Sequence, residues 1–190
     1  MSAEEPVYLA TGNAGKAREL AELLGLGARL RMPPPGFVHP EETGATYAEN
    51  AILKARALAA FVDGTAIADD SGLEVGALQG RPGIHSARYE ADDRRRIERL
   101  LGELEGRPEV ERRARFRCVL ALVRRGGSLE TVEGECSGWI AFAPRGTGGF
   151  GYDPIFVVDA TGTTFAELSS AEKARLGHRG QAARLLRQKL

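Results

Sequence analysis

Apolar and polar positions follow two periods along this chain. Val7-Tyr8-Leu9-Ala10 is a short apolar run that breaks directly into Thr11-Gly12-Asn13-Ala14-Gly15-Lys16, which predicts a buried strand and then a glycine-rich turn. From about Gly15 to Leu24 the apolar positions Ala17, Leu20, Ala21, Leu23 and Leu24 form one helical stripe. Leu30-Arg31-Met32 reads as a second strand stopped by Pro33-Pro34-Pro35, and Gly36 to Ala45 as a loop. Thr46-Tyr47-Ala48-Glu49 has the spacing of a capping box and opens an Ala/Leu-rich helix to about Phe61. Thr65-Ala66-Ile67-Ala68 predicts a buried strand that ends at Asp69-Asp70-Ser71-Gly72, with turn-rich sequence following through Gly83.

Asp92 to Leu104 returns to helical spacing, carried by Ile97, Leu100, Leu101 and Leu104. Ala114 to Val123 and Leu129 to Ile140 are β in pattern and join as a hairpin through Gly126-Gly127. Gly146 to Asp153 is a loop, Pro154 to Val158 another strand, Ser169-Ser170-Ala171-Glu172 a second capping box, and Gln181 to Leu190 a closing amphipathic helix. Early strand–helix alternation followed by hairpins predicts one α/β domain over residues 1–190, with a mixed β-sheet and flanking helices.

Composition narrows the function. Hydrophobic content of 43% with 27% charged residues is that of a folded globular chain. The 26 basic residues balance the 26 acidic ones, which argues against wrapping a nucleic-acid backbone. No apolar run is long enough to span a bilayer, and the acidic start Met1 to Pro6 has no signal-peptide core, so the expected location is cytoplasmic. Cys118 and Cys136 fit neither a metal site nor a disulfide framework and are expected as buried thiols, although the hairpin register leaves their pairing open. Only four of the 26 basic residues are lysines, and three of those, Lys16, Lys54 and Lys173, stand in phrases that carry chemistry. A lysine is a compact charge suited to single phosphate oxygens, whereas arginine presents a wide fork.

A strand, glycine-rich turn and helix N-terminus aim backbone N–H groups at an anion, with Lys16 beside them. The phrase is not a P-loop: Ala10 stands where the first glycine belongs, and Ala17 where a hydroxyl would hold Mg²⁺. A metal would therefore need carboxylates elsewhere. Asp69 and Asp70, or Glu41 and Glu42, could supply them, since Mg²⁺ needs only one or two carboxylates besides substrate phosphates. Adjacent aspartates on a strand point to opposite sides, so one of the two faces a given site. Each pair also has an ordinary reading, as a turn or a solvated loop. Phe150 among Gly148, Gly149 and Gly151 could stack on a base or fill a corner, and solvent exposure would equally explain Lys173, His178 and Arg179.

Taken in order, the phrases resemble the inosine triphosphate pyrophosphatase family. The resemblance is carried by Thr11-Gly12-Asn13-x-Gly15-Lys16, Glu41-Glu42-Thr43-Gly44, Asn50-Ala51-x-x-Lys54-Ala55, and Ala68-Asp69-Asp70-Ser71-Gly72-Leu73. It continues through Pro82-Gly83-Ile84, Ser86-Ala87-Arg88-Tyr89, Gly149-Phe150-Gly151-Tyr152-Asp153-Pro154, Glu172-Lys173 and His178-Arg179-Gly180. One departure is visible: Gly177 stands where a serine often precedes the His-Arg pair.

The resemblance implies an elongated two-lobed fold with a nucleotide cleft between the lobes, a homodimer, and Mg²⁺-dependent hydrolysis of non-standard purine nucleoside triphosphates (ITP, dITP, XTP) to monophosphate and pyrophosphate. It makes Asp70 the catalytic base and a metal ligand, with Glu41 the second metal candidate. It makes Thr11, Gly12, Asn13, Ala14, Gly15 and Lys16 the triphosphate turn, and Lys54 a phosphate contact. Ser71, Phe150, Gly151, Tyr152, Asp153, Lys173, His178 and Arg179 become further substrate contacts. Two rivals remain at this level: a pyrophosphatase for modified pyrimidine nucleotides, and a nucleotide sensor without turnover. The carboxylates Glu41, Asp69 and Asp70 oppose the sensor, because binding a polyanion is not helped by added negative charge without a metal.

Overall fold

The computed structural model describes residues 5–190, so most of the acidic opening segment, residues 1–4, lies outside the described residues. Six strands form one mixed sheet in the order β2-β1-β3-β4-β5-β6. They are β1 (Val7–Ala10), β2 (Leu30–Arg31), β3 (Thr65–Val75), β4 (Arg113–Val123), β5 (Leu129–Ile140) and β6 (Phe156–Val158). The helices are α1 (Ala14–Leu24), α2 (Tyr47–Val62), α3 (Asp93–Glu103), α4 (Ser170–Leu176) and α5 (His178–Arg187). β1 pairs parallel with β2 and with β3, whereas β5 and β6 are antiparallel.

Local sequence explains most boundaries. Both expected capping boxes form, with Thr46 and Ser169 accepting from the N–H groups of Glu49 and Glu172. A third, Thr164 with Glu167, caps a short 3₁₀ turn that its pattern alone does not separate from loop. β4 changes character midway. Arg113, Ala114, Arg115 and Phe116 alternate between exposed and buried, as in a strand wet on one face, while Cys118 to Val123 are all buried, as in a strand covered on both.

The chain forms two compact units, each with its own core. The first takes the chain up to Asp70, Cys118–Gly134 and Gln181–Leu190, and packs Val7, Leu9, Leu20, Ile67, Leu120 and Leu186. The second takes Ser71–Arg117 and Glu135–Gly180, and packs Leu73, Leu100, Phe116, Ile140, Phe156 and Phe165. The boundary falls inside β3, between Asp70 and Ser71.

β3 corrects the expectation of a strand ending at Asp69-Asp70-Ser71-Gly72, because it runs on through these residues to Val75. β1 accompanies it only to the pair Ala10 and Ala68, after which β1 turns away into Thr11. The eleven-residue β4 remains its neighbour on the other side, and that pairing overrides the turn preference of Asp-Asp-Ser-Gly. The last helix also begins earlier than its apolar periodicity indicates, at His178, and β6 begins later, at Phe156. Cys118 and Cys136 are both buried, and neither is in a disulfide. Among the described residues, no helix is long and apolar enough to cross a membrane.

Candidate active site

The first unit gathers two lysines and three carboxylates. Thr11 Oγ1 accepts from the Asn13 N–H (3.2 Å), and Asn13 Oδ1 caps α1 by accepting from the Lys16 N–H (3.0 Å). The first intrahelical bond runs from Ala17 to Asn13, so the N–H groups of Ala14 and Gly15 precede the helical ladder and can face an anion. The Lys16 side chain turns to the sheet, where its Nζ lies 2.8 Å from Asp69 Oδ2, the carboxylate being 1% exposed.

Asn50 and Lys54 stand one turn apart on α2, and both are buried. Lys54 Nζ donates to Glu42 (2.7 Å) and to Asp70 Oδ1 (3.3 Å), and Asn50 Nδ2 donates to Asp70 Oδ2 (3.3 Å). Burial raises the Asp70 carboxyl above its ordinary range, and the charges of Glu42 and Asp69 add to this. The lowering pull of Lys54 and Lys16 is insufficient to cancel it. Burial acting alone would lower Lys54, but Asp69, Asp70 and Glu42 together outweigh it and raise that ammonium, so Lys54 stays a cation. Glu41 is exposed, and its neighbour Glu42 reaches the lysine.

The second unit holds the remaining candidates, and two of them flank one aromatic ring. Lys173 Nζ and Arg179 Cζ each stand 5.1 Å from the centroid of Phe150, within cation–π range. Arg179 Nη2 donates to Ser71 Oγ (3.0 Å). Lys173 is bonded to Asp153, which also accepts from the Phe150 N–H (2.9 Å). Gly151 N–H donates to Asp93 (2.7 Å), and the buried Tyr152 donates through its hydroxyl to the Ser86 carbonyl (3.2 Å), so this loop is anchored on two sides. Tyr152 is buried, and burial raises its phenol above the ordinary range.

The possibility that Lys173, His178 and Arg179 are merely solvent-exposed does not hold for the last two, which are buried. His178 stacks on Phe116 at 4.7 Å with the rings nearly parallel. Gly180 makes this possible, because a Cβ there would run into the Ala174 carbonyl, so only glycine lets the start of α5 lie against α4.

The profile of the Ham1 family matches residues 7–189. The chain belongs to the Ham1 family. It is 52% identical over 186 residues to the dITP/XTP pyrophosphatase of Parasynechococcus marenigrum, covering 97% of this chain and 94% of that protein. It is 53% identical over 181 residues to the dITP/XTP pyrophosphatase of Gloeobacter violaceus, covering 95% and 91%. Among solved structures, the HAM1 protein of Coxiella burnetii superposes with a TM-score of 0.86 at 40% identity, covering 97% of this chain and 98% of that one.

Within this Ham1 chain the expected residues fall into two groups by unit. Thr11 to Lys16, Glu41, Lys54 and Asp70 lie in the first, and Ser71, Phe150 to Asp153, Lys173, His178 and Arg179 in the second. Glu42, Asp69 and Asp70 provide only hard oxygen donors, the kind that suits Mg²⁺. Among the described residues no three His, Cys, Asp or Glu side chains make a ready metal cage. Sequence reasoning left Asn50 without a role and put Glu41 ahead of Glu42 as the metal candidate. For Asn50 a signal existed: a polar side chain one turn before Lys54, on the apolar face of an amphipathic helix. For Glu42 none did, because two adjacent loop glutamates differ only in the path of the loop.

Proposed function

We propose that this chain hydrolyses non-standard purine nucleoside triphosphates, dITP, XTP and ITP, to the monophosphate and pyrophosphate, and so cleanses the nucleotide pool. The near full-length match to curated dITP/XTP pyrophosphatases at about half identity carries this reading. The chain is thus a nucleoside triphosphate pyrophosphatase, and we take it to act as a cytoplasmic homodimer on free nucleotides.

Asp70 is the base on this reading. Its raised carboxyl holds a proton better than an ordinary aspartate does, and each of its oxygens keeps a lone pair beyond those used by Lys54 and Asn50. A water placed there loses a proton to Asp70 as its oxygen bonds to the α-phosphorus. The bond to the bridging oxygen breaks, and pyrophosphate leaves. Lys16, Lys54 and the N–H groups of Ala14 and Gly15 neutralise and orient the phosphates, which is where most of the rate enhancement arises. Mg²⁺ suits the donor set, with Asp70 and Glu41 or Glu42 to hold it, and when bound it supplies further neutralisation of phosphate charge.

In the second unit, Arg179 and His178 donate to the 6-oxo group of hypoxanthine or xanthine, with Phe150 as a stacking face. Adenine presents a donor at that position and leaves these buried donors mismatched, a defect that can discriminate by about 10⁴.

The test is to incubate the protein with Mg²⁺ and ITP, dITP, XTP, GTP, ATP or dUTP, resolving pyrophosphate from orthophosphate. Pyrophosphate from the first three, with the others nearly untouched, is the expected result. Orthophosphate as the direct product moves attack to the γ-phosphorus and defeats the mechanism, and dUTP as the preferred substrate defeats the purine assignment.

A further inference from the structure

Asn50 is fully buried on α2, and its carboxamide is used at both ends. The oxygen accepts from the Gly44 N–H at 2.8 Å, and the nitrogen donates to Asp70 Oδ2 at 3.3 Å. Lys54, one turn along the same helix, holds the other oxygen of the same carboxylate. Asp70 is therefore gripped by two donors of fixed spacing, and the loop carrying Glu41 and Glu42 is tied to the same amide. The tie is close: a Cβ on Gly44 would stand 2.7 Å from Asn50 Oδ1 and 2.6 Å from the Glu49 Cβ, so glycine is what lets the loop backbone lie on the helix. Leucine or alanine at position 50 would serve the helix as well, so its propensity does not explain a buried amide.

We propose that Asn50 is a positioning residue that fixes the Asp70 carboxylate and couples it to the Glu41–Gly44 loop. It touches no substrate and acts through Asp70. The proposal rests on the reading of Asp70 as the group that handles the attacking water. An amide accepts from a backbone N–H through its oxygen and donates to a carboxylate through its nitrogen, so one neutral side chain joins two partners on separate atoms. A carboxylate here would keep the loop and lose the donor; an aliphatic side chain would lose both.

The experiment compares Asn50→Asp, Asn50→Leu and Asp70→Asn in steady-state kinetics on dITP with Mg²⁺, and follows hydrogen exchange at the Gly44 amide in the protein without nucleotide. Asn50→Asp is expected to keep Gly44 as protected as wild type while kcat falls about 10- to 100-fold, the usual effect of removing such an outer partner. Its KM should stay within about threefold, because the loss lies in the chemical step. Asn50→Leu is expected to show at least that loss in kcat and to lose protection at Gly44 as well. If the second buried carboxylate of Asn50→Asp prevents folding, Asn50→Ser takes its place, with the same split between kcat and KM expected.

A kcat within about threefold of wild type, or a loss confined to KM, overturns the proposal. Gly44 exchange equally slow in Asn50→Leu overturns the coupling to the loop. Asp70→Asn separates the two levels: activity retained within about tenfold defeats the role of Asp70 itself. An inactive Asp70→Asn beside a fully active Asn50 variant defeats only the positioning role.

Discussion

Lys16, the lysine of the glycine-rich turn, stands 2.8 Å from Asp69, a carboxylate that is 1% exposed. The cation assigned to phosphate is thus already matched to a buried anion, which keeps an electropositive turn compatible with a folded protein before nucleotide arrives. Removing one member of such a pair costs more than the pair contributes, because the remaining charge stays in a poorly solvating place. Lys16→Met is expected to lower stability by about 3 kcal/mol. The double variant Lys16→Met with Asp69→Asn should recover more than half of that loss, because neighbouring groups are strongly non-additive. Urea unfolding of the four proteins in this cycle measures the coupling, and additive losses would show that the pair does not stabilise the fold.

Asp70 is expected to trade stability for activity. Its carboxyl is raised in the folded state, so its favourable contribution is present below the ordinary value of 3.8 and is lost as pH rises through the folded value. At neutral pH the ionised group is a burden. Asp70→Asn should therefore be more stable than wild type at pH 7, by on the order of 1 kcal/mol, with the gain vanishing below about pH 4. Its kcat should fall by about 10² to 10⁴, the range of a lost general base. Unfolding curves at the two pH values and a dITP assay read both effects.

Arg179 bonds Ser71 and covers Phe150, so on the proposed reading its removal should alter base reading while leaving Lys16 and Lys54 untouched. Arg179→Ala is expected to reduce the preference for dITP over ATP by at least about tenfold in kcat/KM, through a mismatch no longer penalised. An unchanged ratio would remove Arg179 from the specificity account.

The steric requirement at Gly180 is sharper than any hydrogen bond in its neighbourhood. Gly180→Ala places a Cβ against the Ala174 carbonyl and must push α5 away from α4. The expected cost is about 3 kcal/mol, at the upper end of overpacking effects. Because His178 and Arg179 ride on the same turn, KM for dITP should rise as well. Thermal unfolding together with kinetics tests this, and a wild-type melting temperature would refute it.

Both cysteines are buried, and burial pushes the Cys136 thiol up to about 12, where the reactive thiolate is scarce at neutral pH. The native protein is expected to show no fast-reacting thiol toward a disulfide reagent, and two after unfolding. A fast thiol in the native state would mean that its strand opens readily.

The hydrophobic pattern foretold the helices and strands well where the deciding interactions are local. Thr46 and Glu49, or Ser169 and Glu172, lie three residues apart and cap their helices by themselves. The same pattern at Thr164 and Glu167 caps only a three-residue turn. Asp69 to Gly72 were expected at the end of β3 because that phrase prefers turns, yet a long neighbouring strand keeps them extended. The polar side chains of His178 and Arg179 were equally compatible with solvent, and burial was decided by Phe116, Ser71 and the missing Cβ of Gly180.

By itself the sequence determined the alternation of elements, the helix starts and the order of motifs that marks the family, since these depend on spacings of a few residues. Which carboxylate meets which lysine was decided only by the tertiary structure. Lys16 finds Asp69, Lys54 finds Asp70 and Glu42, and Asn50 joins Gly44 to Asp70 because β1 stops where β3 continues and α2 presents one buried polar face. Such contacts join residues far apart in the chain, and their geometry follows from strand order and helix packing, which no local pattern encodes.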